Sequence, residues 1–457
     1  MTAWSQIVSL VLAAAAFVTS VLPRDRGVRD EAGRVPGRFS MASKLARFPI
    51  FWIGLALLGY VAVQASNPAW AYARSATRWW LVRQRDVPWL PAGIAAPFSV
   101  FNAWRQLIIY GATWLTVCAV WTGLRRRRSL SILLGIITAN GLALVAVLAL
   151  QRVTNDHRTP WPLVLWTRND ITASFVYENH AGAYLGLASI CAIAMAICFF
   201  DRGRRSFAKS TPAGVFALCA LFLAGSVIFS LSRGALIALA VSLFVLACWF
   251  LIRNRVLPDV PGGNKALRRG VIGLLAVFVA LSASFLDFKE MSKRLDLFAT
   301  EGSKELSVHS RVLARHADTD MLGVYWERGV GAGGFRYLFP EYVKNYPEIY
   351  DGGNLFWEHG HCDWLELPIE LGLAGDLMIV TGAVWWMAWF VRRRAFWSAL
   401  AVPLLIGCSQ TLIQAGFDFP FQCPAILTTW CVLIAVAGRW VELEPPRAER
   451  AGDPASA

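Results

Sequence analysis

The chain has 457 residues, of which 56% are hydrophobic and 16% charged, with a formal net charge of +14 and a mean hydropathy of +0.48. Soluble domains carry about a quarter charged residues, so this composition excludes a soluble globular protein. The apolar residues come in runs of about twenty, long enough for roughly 30 Å of hydrocarbon, and they do not alternate as the strands of a membrane barrel would. The chain therefore reads as all-α, a polytopic bundle of transmembrane helices.

The first apolar run covers residues 4–22 and lacks a positively charged leader, while basic residues follow it between 24 and 47. That order predicts a retained helix with its N-terminus outside, not a cleaved signal peptide. A second run covers 48–66. Between 67 and 105 the sequence is mixed, with RWWLVRQR (78–85) interleaving tryptophan and arginine ahead of a proline-broken stretch. This predicts an outer loop with a helix lying in the membrane interface. Further runs fall at 106–123, 129–150, 181–200, 212–231, 234–252 and 271–286. A long hydrophilic insertion, 288–370, follows and holds four of the six histidines. Runs at 371–391, 396–414 and 424–439 close the pattern, about eleven spans in all, with roughly ten to thirteen as the range. The expected division is an N-terminal helical part (1–170), a transmembrane core including the large outer loop with its short helices (171–440), and a disordered cytoplasmic tail (441–457).

Charge placement orients the helices. RRRR (125–128), DRGRR (201–205), RNR (253–255) and RRR (392–394) each abut the end of an apolar run, and such clusters mark cytoplasmic ends. Loops 67–105, 152–180, 288–370 and 415–423 then lie outside, together with His157, His180, His309, His316, His359 and His361. Topology accounts for most of the basic excess, so nucleic acid is not an expected partner. The nine cysteines show no CxxC pair. Cys362 and Cys423 fall near outer loops, where an oxidising compartment would permit a disulfide.

Four outer segments carry polar residues at helix ends. SFVYENHAGAYLGLA (174–188) places Asn179 and His180 at the mouth of a helix. SLSRGALIAL (230–239) places Arg233 between two spans, where a cation near hydrocarbon either snorkels or serves a function. In the long loop, Arg311 and Arg315 stand one helical turn apart, followed by GVGAGG (329–334), His361, Asp363 and Glu370. GFDFPFQCP (416–424) puts Asp418 in a short turn. GVGAGG matches GxGxxG in form, but no βαβ pattern surrounds it, which points to a tight turn or backbone nest. His316 and Asp320 stand at i, i+4, two metal-type ligands without a third, and no metal site is expected.

At these residues the chain resembles the bacterial O-antigen ligase and polymerase family. The matching pieces are ENHAGAYLGL, SLSRGALIAL, the Arg311 helix with GVGAGGFRYLFPEY, HCDWLELPIELGLAG and FDFPFQCPA, in the family's order over about 174–425. Where the family commonly has an asparagine after the histidine, this chain has Cys362. The resemblance implies a membrane glycosyltransferase of the GT-C-like type in the bacterial inner membrane, with its active face in the periplasm. It also implies a donor glycan linked to undecaprenyl diphosphate. The acceptor would be a lipid A core sugar in a ligase, or another lipid-linked glycan in a polymerase. Neither metal nor nucleotide-sugar cofactor is implied, and other polysaccharide-assembly proteins are expected partners.

The resemblance gives His361 the role of base toward the acceptor hydroxyl, and gives Arg233 and Arg311 the charge on the departing diphosphate. Arg315, Asp363, Glu370, His180, Asn179 and Asp418 become substrate-binding or orienting residues. The aromatic side chains of the loop (Tyr325, Trp326, Phe335, Tyr337, Tyr342, Tyr346, Trp357) serve either to stack on sugars or to pack the loop against the bilayer. Two other classes compete: a flippase for lipid-linked oligosaccharide and a non-catalytic assembly scaffold. A flippase needs charges along a path through both leaflets, whereas here they gather at one face.

Overall fold

The computed structural model describes residues 3–22, 40–154, 172–205, 210–230, 232–256, 306–350 and 356–444. The apolar run at 271–286, His157, the start of the long loop and the tail beyond 444 lie outside the described residues. The protein is a polytopic helical membrane protein. Eight described helices are long and apolar enough to cross a membrane, and two shorter apolar helices, Ala213–Phe229 and Ala401–Ala415, accompany them. Together they account for every described apolar run.

The chain forms two compact units. The first combines Met1–Gly123, Ser292–Ala388 and Ala415–Pro424. In it the Ala3–Val21 helix packs along Ala103–Gly123, joined by a buried Ser20 to Thr122 hydroxyl contact of 2.7 Å. Pro49–Ser66 packs on the same helix, where Trp114 donates its indole N–H to the Phe51 carbonyl at 3.1 Å.

The 67–105 segment corrects an expectation. In place of an interfacial helix it forms a three-stranded sheet: β1 (Pro68–Arg74), β2 (Trp79–Arg83) and β3 (Gly93–Ala95), in the order β2-β1-β3. β1 and β2 are antiparallel, with Trp70 opposite Arg83 and Tyr72 opposite Leu81, and β3 joins β1 in parallel. The physical reason is visible in the residues. Aromatic and branched side chains favour a pleated surface, and period-two alternation turns Trp79 and Leu81 inward while Trp80 and Val82 face out. The Trp–Arg interleaving is a cross-strand pair, with the Arg83 guanidinium 5.0 Å from the Trp70 ring centre. This sheet shares a core with the described part of the long loop: Ile94 packs with Ala314, Ala317, Met321, Val330, Phe335 and Ile369.

Two loop helices, Leu306–Tyr325 and Phe335–Val343, lead into the long helix Asp363–Arg392. That helix breaks at Gly372, whose φ is 66°. Pro368 and the break release carbonyls that hydrocarbon could not satisfy, so neighbouring groups take them up. Val330 N–H donates to the Ile369 carbonyl at 2.9 Å, and Gly331 N–H and the Gln64 amide to that of Glu370, each at 3.0 Å. The Tyr60 hydroxyl donates to the Leu371 carbonyl at 2.5 Å. The glycine-rich turn is thus a strap bound to the broken helix. Gly329, Gly331 and Gly333 all have positive φ, and a Cβ at Gly329 would strike the Glu370 carbonyl.

The second unit comprises Leu124–Met291, Trp389–Gln414 and Ala425–Ala457. Its core is small-residue helix packing, with Ala181, Ala188, Ala192, Ala220 and Ala235 among Leu185, Leu223 and Leu239. Arginines, two of them from the basic clusters, close its helix ends. Arg127 donates to the Leu443 carbonyl at 2.6 Å, Arg439 to the Leu124 carbonyl at 3.0 Å, and Arg253 pairs with Asp201.

Candidate functional site

The first turns of the Asp363–Arg392 helix carry Asp363, Glu366 and Glu370 at i, i+3 and i+7, on one face. All three are at most 1% exposed, and buried carboxylates must find hydrogen-bond donors. Each finds its donor on a different loop. Asp363 Oδ2 accepts the Phe421 N–H at 2.8 Å, while its own N–H donates to the Asp418 carbonyl at 3.2 Å. Glu366 Oε2 accepts the Gly360 N–H at 3.0 Å, and its Oε1 lies 2.6 Å from His359 Nδ1. Glu370 Oε1 accepts the Phe335 N–H at 3.3 Å. One helix face therefore fixes the Asp418 turn, the histidine loop and the glycine strap.

His361 sits in that frame with φ 56°, a left-handed conformation uncommon for a side-chain-bearing residue and frequent at functional sites. Its ring stands edge-on to Trp357 (5.1 Å between centres) and Phe419 (4.8 Å), and Nδ1 lies 3.8 Å from Asp418 Oδ1. Burial lowers its pKa from 6.5, and the Asp418 carboxylate partly offsets this, while Arg311 and His359 add to the lowering. A neutral imidazole with 19% of its side chain still accessible results. His359 is fixed more firmly. It stacks on Phe419 at 4.6 Å and meets Arg336 through Nε2 at 3.5 Å. With Nε2 accepting from arginine, Nδ1 carries the proton and donates to Glu366. Burial, followed by Arg336, pushes the His359 pKa down to about 3.

On the Leu306–Tyr325 helix, Arg311, Arg315 and Asp318 share the inward face. Arg311 is close enough to His361 to act on its protonation. Arg315 Nη2 donates to the Gly416 carbonyl at 2.7 Å and so ties this helix to the Asp418 turn. Asp318 is fully buried, with neither carboxyl oxygen hydrogen-bonded. Burial first, then Glu366, raises its pKa well above the usual 3.8 against the pull of Arg315. Its carboxyl lies over Gly360, where a Cβ would collide with both oxygens. His316 and Asp320 both meet Tyr346, by ring stacking at 6.2 Å and a 2.7 Å hydrogen bond respectively. Cys362 is a buried thiol that is not joined to Cys423.

In the second unit, Asn179 and His180 occupy the first turn of the Glu178–Arg205 helix. The Asn179 side-chain amide donates to the Tyr177 hydroxyl at 2.8 Å, and the Asn179 backbone carbonyl accepts from the Gln414 amide at 3.2 Å. His180 stands edge-on to Tyr177 at 5.2 Å. Arg233 opens the Arg233–Val256 helix as an exposed residue after Ser232, whose hydroxyl caps the Ala235 N–H at 3.2 Å. Gly182 packs against Ser230 and Ser232, which brings the Asn179 turn and the Arg233 link together.

Residues 217–380 match the family model described as O-antigen ligase. Over this segment the chain is similar to the O-antigen ligase family. The segment lies inside the stretch over which the sequence resembles that family. It takes in Arg233, Arg311, Arg315, His361, Asp363 and Glu370, and leaves Asn179, His180, Asp418 and the sheet outside. No curated protein matches the chain.

Sequence reasoning missed four residues of the matched segment that the geometry brings forward: His359, Glu366, Asp318 and Arg336. Glu366 had a readable signal, since it shares a helical face with Asp363 and Glu370. His359 stood out only by its spacing from His361. Asp318 and Arg336 gave none, because only tertiary packing shows that one is buried and the other meets His359. The loop aromatics are divided. Phe335 and Tyr337 are buried in the core shared with the sheet, and Trp357 walls the His361 ring.

Proposed function

We propose that the protein is a membrane glycosyltransferase of bacterial surface-polysaccharide assembly, an O-antigen ligase or polymerase. It moves a glycan from an undecaprenyl-diphosphate carrier to an acceptor hydroxyl at the periplasmic face of the inner membrane. The observation that carries this reading is a neutral, partly accessible imidazole at His361, with Asp418 Oδ1 3.8 Å from its Nδ1 and Arg311 acting on its protonation, inside the segment that matches the family model. Metal-free charge stabilisation is consistent with guanidinium groups, which match phosphate oxygens with paired donors.

In the transfer step the bond between the anomeric carbon and the diphosphate oxygen breaks, and a bond from that carbon to the acceptor oxygen forms. His361 takes the hydroxyl proton, and the electron pair of the broken bond stays on the lipid diphosphate. Arg311 stabilises the charge that grows there. The family resemblance gives Arg233 the diphosphate role as well, with Asn179 and His180 as lining residues; all three belong to the second unit. Asp418 orients and polarises the His361 ring. Asp363 and Glu370 act by holding the loops that carry these groups, and Arg315 by anchoring the Asp418 turn. The acceptor is a lipid A core sugar or the end of another lipid-linked glycan.

Purified full-length protein in nanodiscs, supplied with a lipid-diphosphate-linked oligosaccharide and candidate acceptors, tests the reading. Longer lipid-linked chains identify a polymerase, and glycan on a different lipid identifies a ligase. Activity unchanged by chelator is expected. Translocation of the donor between leaflets without any transfer product would replace this reading with a flippase.

A further inference from the structure

Beside the histidine loop, the first unit holds a cavity of about 460 Å³, within the ~300–1,000 Å³ range of small-molecule sites. Its walls come from the sheet, the ends of the Ala3–Val21 and Ala103–Gly123 helices and the Phe335–Val343 helix. Two arginines line it. Arg105 is 7% exposed and donates through Nε to Gln6 Oε1 at 3.0 Å. Arg336 reaches in beside His359. Both guanidinium carbons face one ring, Phe101, at 5.3 and 4.7 Å from its centre. Glu358 is the acidic side chain in the lining, 3.7 Å from Arg336 and 60% exposed. A partly hydrated carboxylate of that kind compensates little, so the cavity keeps an excess of positive charge.

The other walls are aromatic. Tyr72 and Trp79 stack at 5.8 Å, and Tyr337 packs edge-on against both, at 5.4 and 6.0 Å. A phosphate by itself would make no use of this aromatic wall. A sugar ring offers apolar C–H faces to aromatic rings, and a carboxylate on that ring offers two oxygens to arginine forks. We propose that this cavity binds an acid-bearing sugar of the glycan, its carboxylate held by Arg105 and Arg336 and its ring face laid on Tyr72 and Trp79. The inference rests on the transferase reading for the glycan as ligand and adds the chemical class of that glycan. His359 joins the two places: it lines the cavity and lies two residues from His361.

The test is a binding titration of the full-length protein in nanodiscs. The probes are a glucuronate-containing tetrasaccharide and the same tetrasaccharide after its carboxyls are reduced to alcohols. The wild type should bind the acid form about tenfold or more tightly than the reduced form, as charge-assisted hydrogen bonds warrant. Arg336→Gln should reduce that preference to within about threefold, and Trp79→Ala should weaken both forms alike. Arg105→Gln also loses the tie to Gln6, so it is read only alongside Arg336→Gln, with folding checked by circular dichroism.

Equal affinity for the two forms, no binding of either, or a preference that survives Arg336→Gln overturns the proposal. Inorganic pyrophosphate is the third probe. Arg336-dependent binding of pyrophosphate without binding of the acidic tetrasaccharide makes the cavity a headgroup site, and the proposal falls. Because binding is read separately from turnover, an intact acid preference without transfer overturns the reaction alone. Transfer without acid preference overturns the subsite alone.

Discussion

At the scale of single residues, the protonation of His361 connects geometry to rate. Burial holds its pKa below 6.5, with Arg311 pushing in the same direction and Asp418 against it. A base works unprotonated, so transfer should stay level as pH falls toward ~6.5 and decline only as pH passes the lower folded value. The neighbours then make predictions of opposite sign. Asp418→Asn removes the carboxylate that favours imidazolium and should move the acid limb to lower pH. Arg311→Gln removes the opposing cation and should move it to higher pH, whatever each does to the plateau. A pH–rate series on both variants checks this, and limbs that shift together would exclude His361 as the titrating base. His361→Ala should lower the plateau by about 10²–10⁴-fold. Gly360 gives a second residue-scale prediction. A methyl there meets the buried Asp318 carboxyl, and overpacking of this kind costs about 1–3 kcal/mol. Gly360→Ala should lower the melting temperature of the purified protein, and adding Asp318→Ala should recover part of that loss, because it empties the space the methyl needs. Strictly additive losses would show that the two do not compete for it.

At the scale of elements, the broken Asp363–Arg392 helix is the part on which the histidine loop, the glycine strap and the Asp418 turn all depend. Its apolar second half was legible as a span, and HCDWLELPIELGLAG was legible as a motif. That the two form one helix with a break between them was not, because the break at Gly372 is stabilised by Gln64, Tyr60 and the 326–331 segment, all remote in sequence. The sheet was misread for a related reason. Tryptophan and arginine suit a membrane interface as well as a cross-strand pair, and only the partner strand decides between them. Gly372 provides the test. Its backbone, at φ 66° and ψ 179°, lies in a region that is essentially glycine-only and costs an alanine about 1–3 kcal/mol, and its Cβ would meet the Gly329 nitrogen. Gly372→Ala should therefore destabilise the protein by more than the backbone penalty by itself. Alanine at Gly214, around which the structure leaves open space, is the control and should be nearly silent. Thermal unfolding in detergent measures both, and equal melting temperatures would remove the strap from its supporting role.

At the scale of the whole molecule, the apolar runs carry the spans and the arginine clusters carry the expected orientation. Hydrophobic length is a local property, so every described run is a helix where the sequence places one. The expected orientation rests on a separate quantity, the placement of the arginine clusters at the ends of apolar runs. In the second unit Arg127, from one of those clusters, binds the Leu443 carbonyl at a helix end, and Arg439, outside them, binds that of Leu124 in the same way. Helix C-termini attract cations in any compartment, so contacts of this kind do not by themselves identify the cytoplasmic side. Labelling separates the two explanations. In a background with the native cysteines replaced, Ala76→Cys lies in the turn between β1 and β2, and Lys344→Cys follows the Phe335–Val343 helix. Both should react with a membrane-impermeant maleimide in intact spheroplasts. Arg126→Cys and Arg393→Cys, within the basic clusters, should react only after permeabilisation. If all four react in intact cells, or the pairs exchange, the arginines are helix caps without directional meaning. Exchange of the pairs would place the cavity and the histidine loop at the cytoplasmic face, where a periplasmic transfer reaction cannot take place.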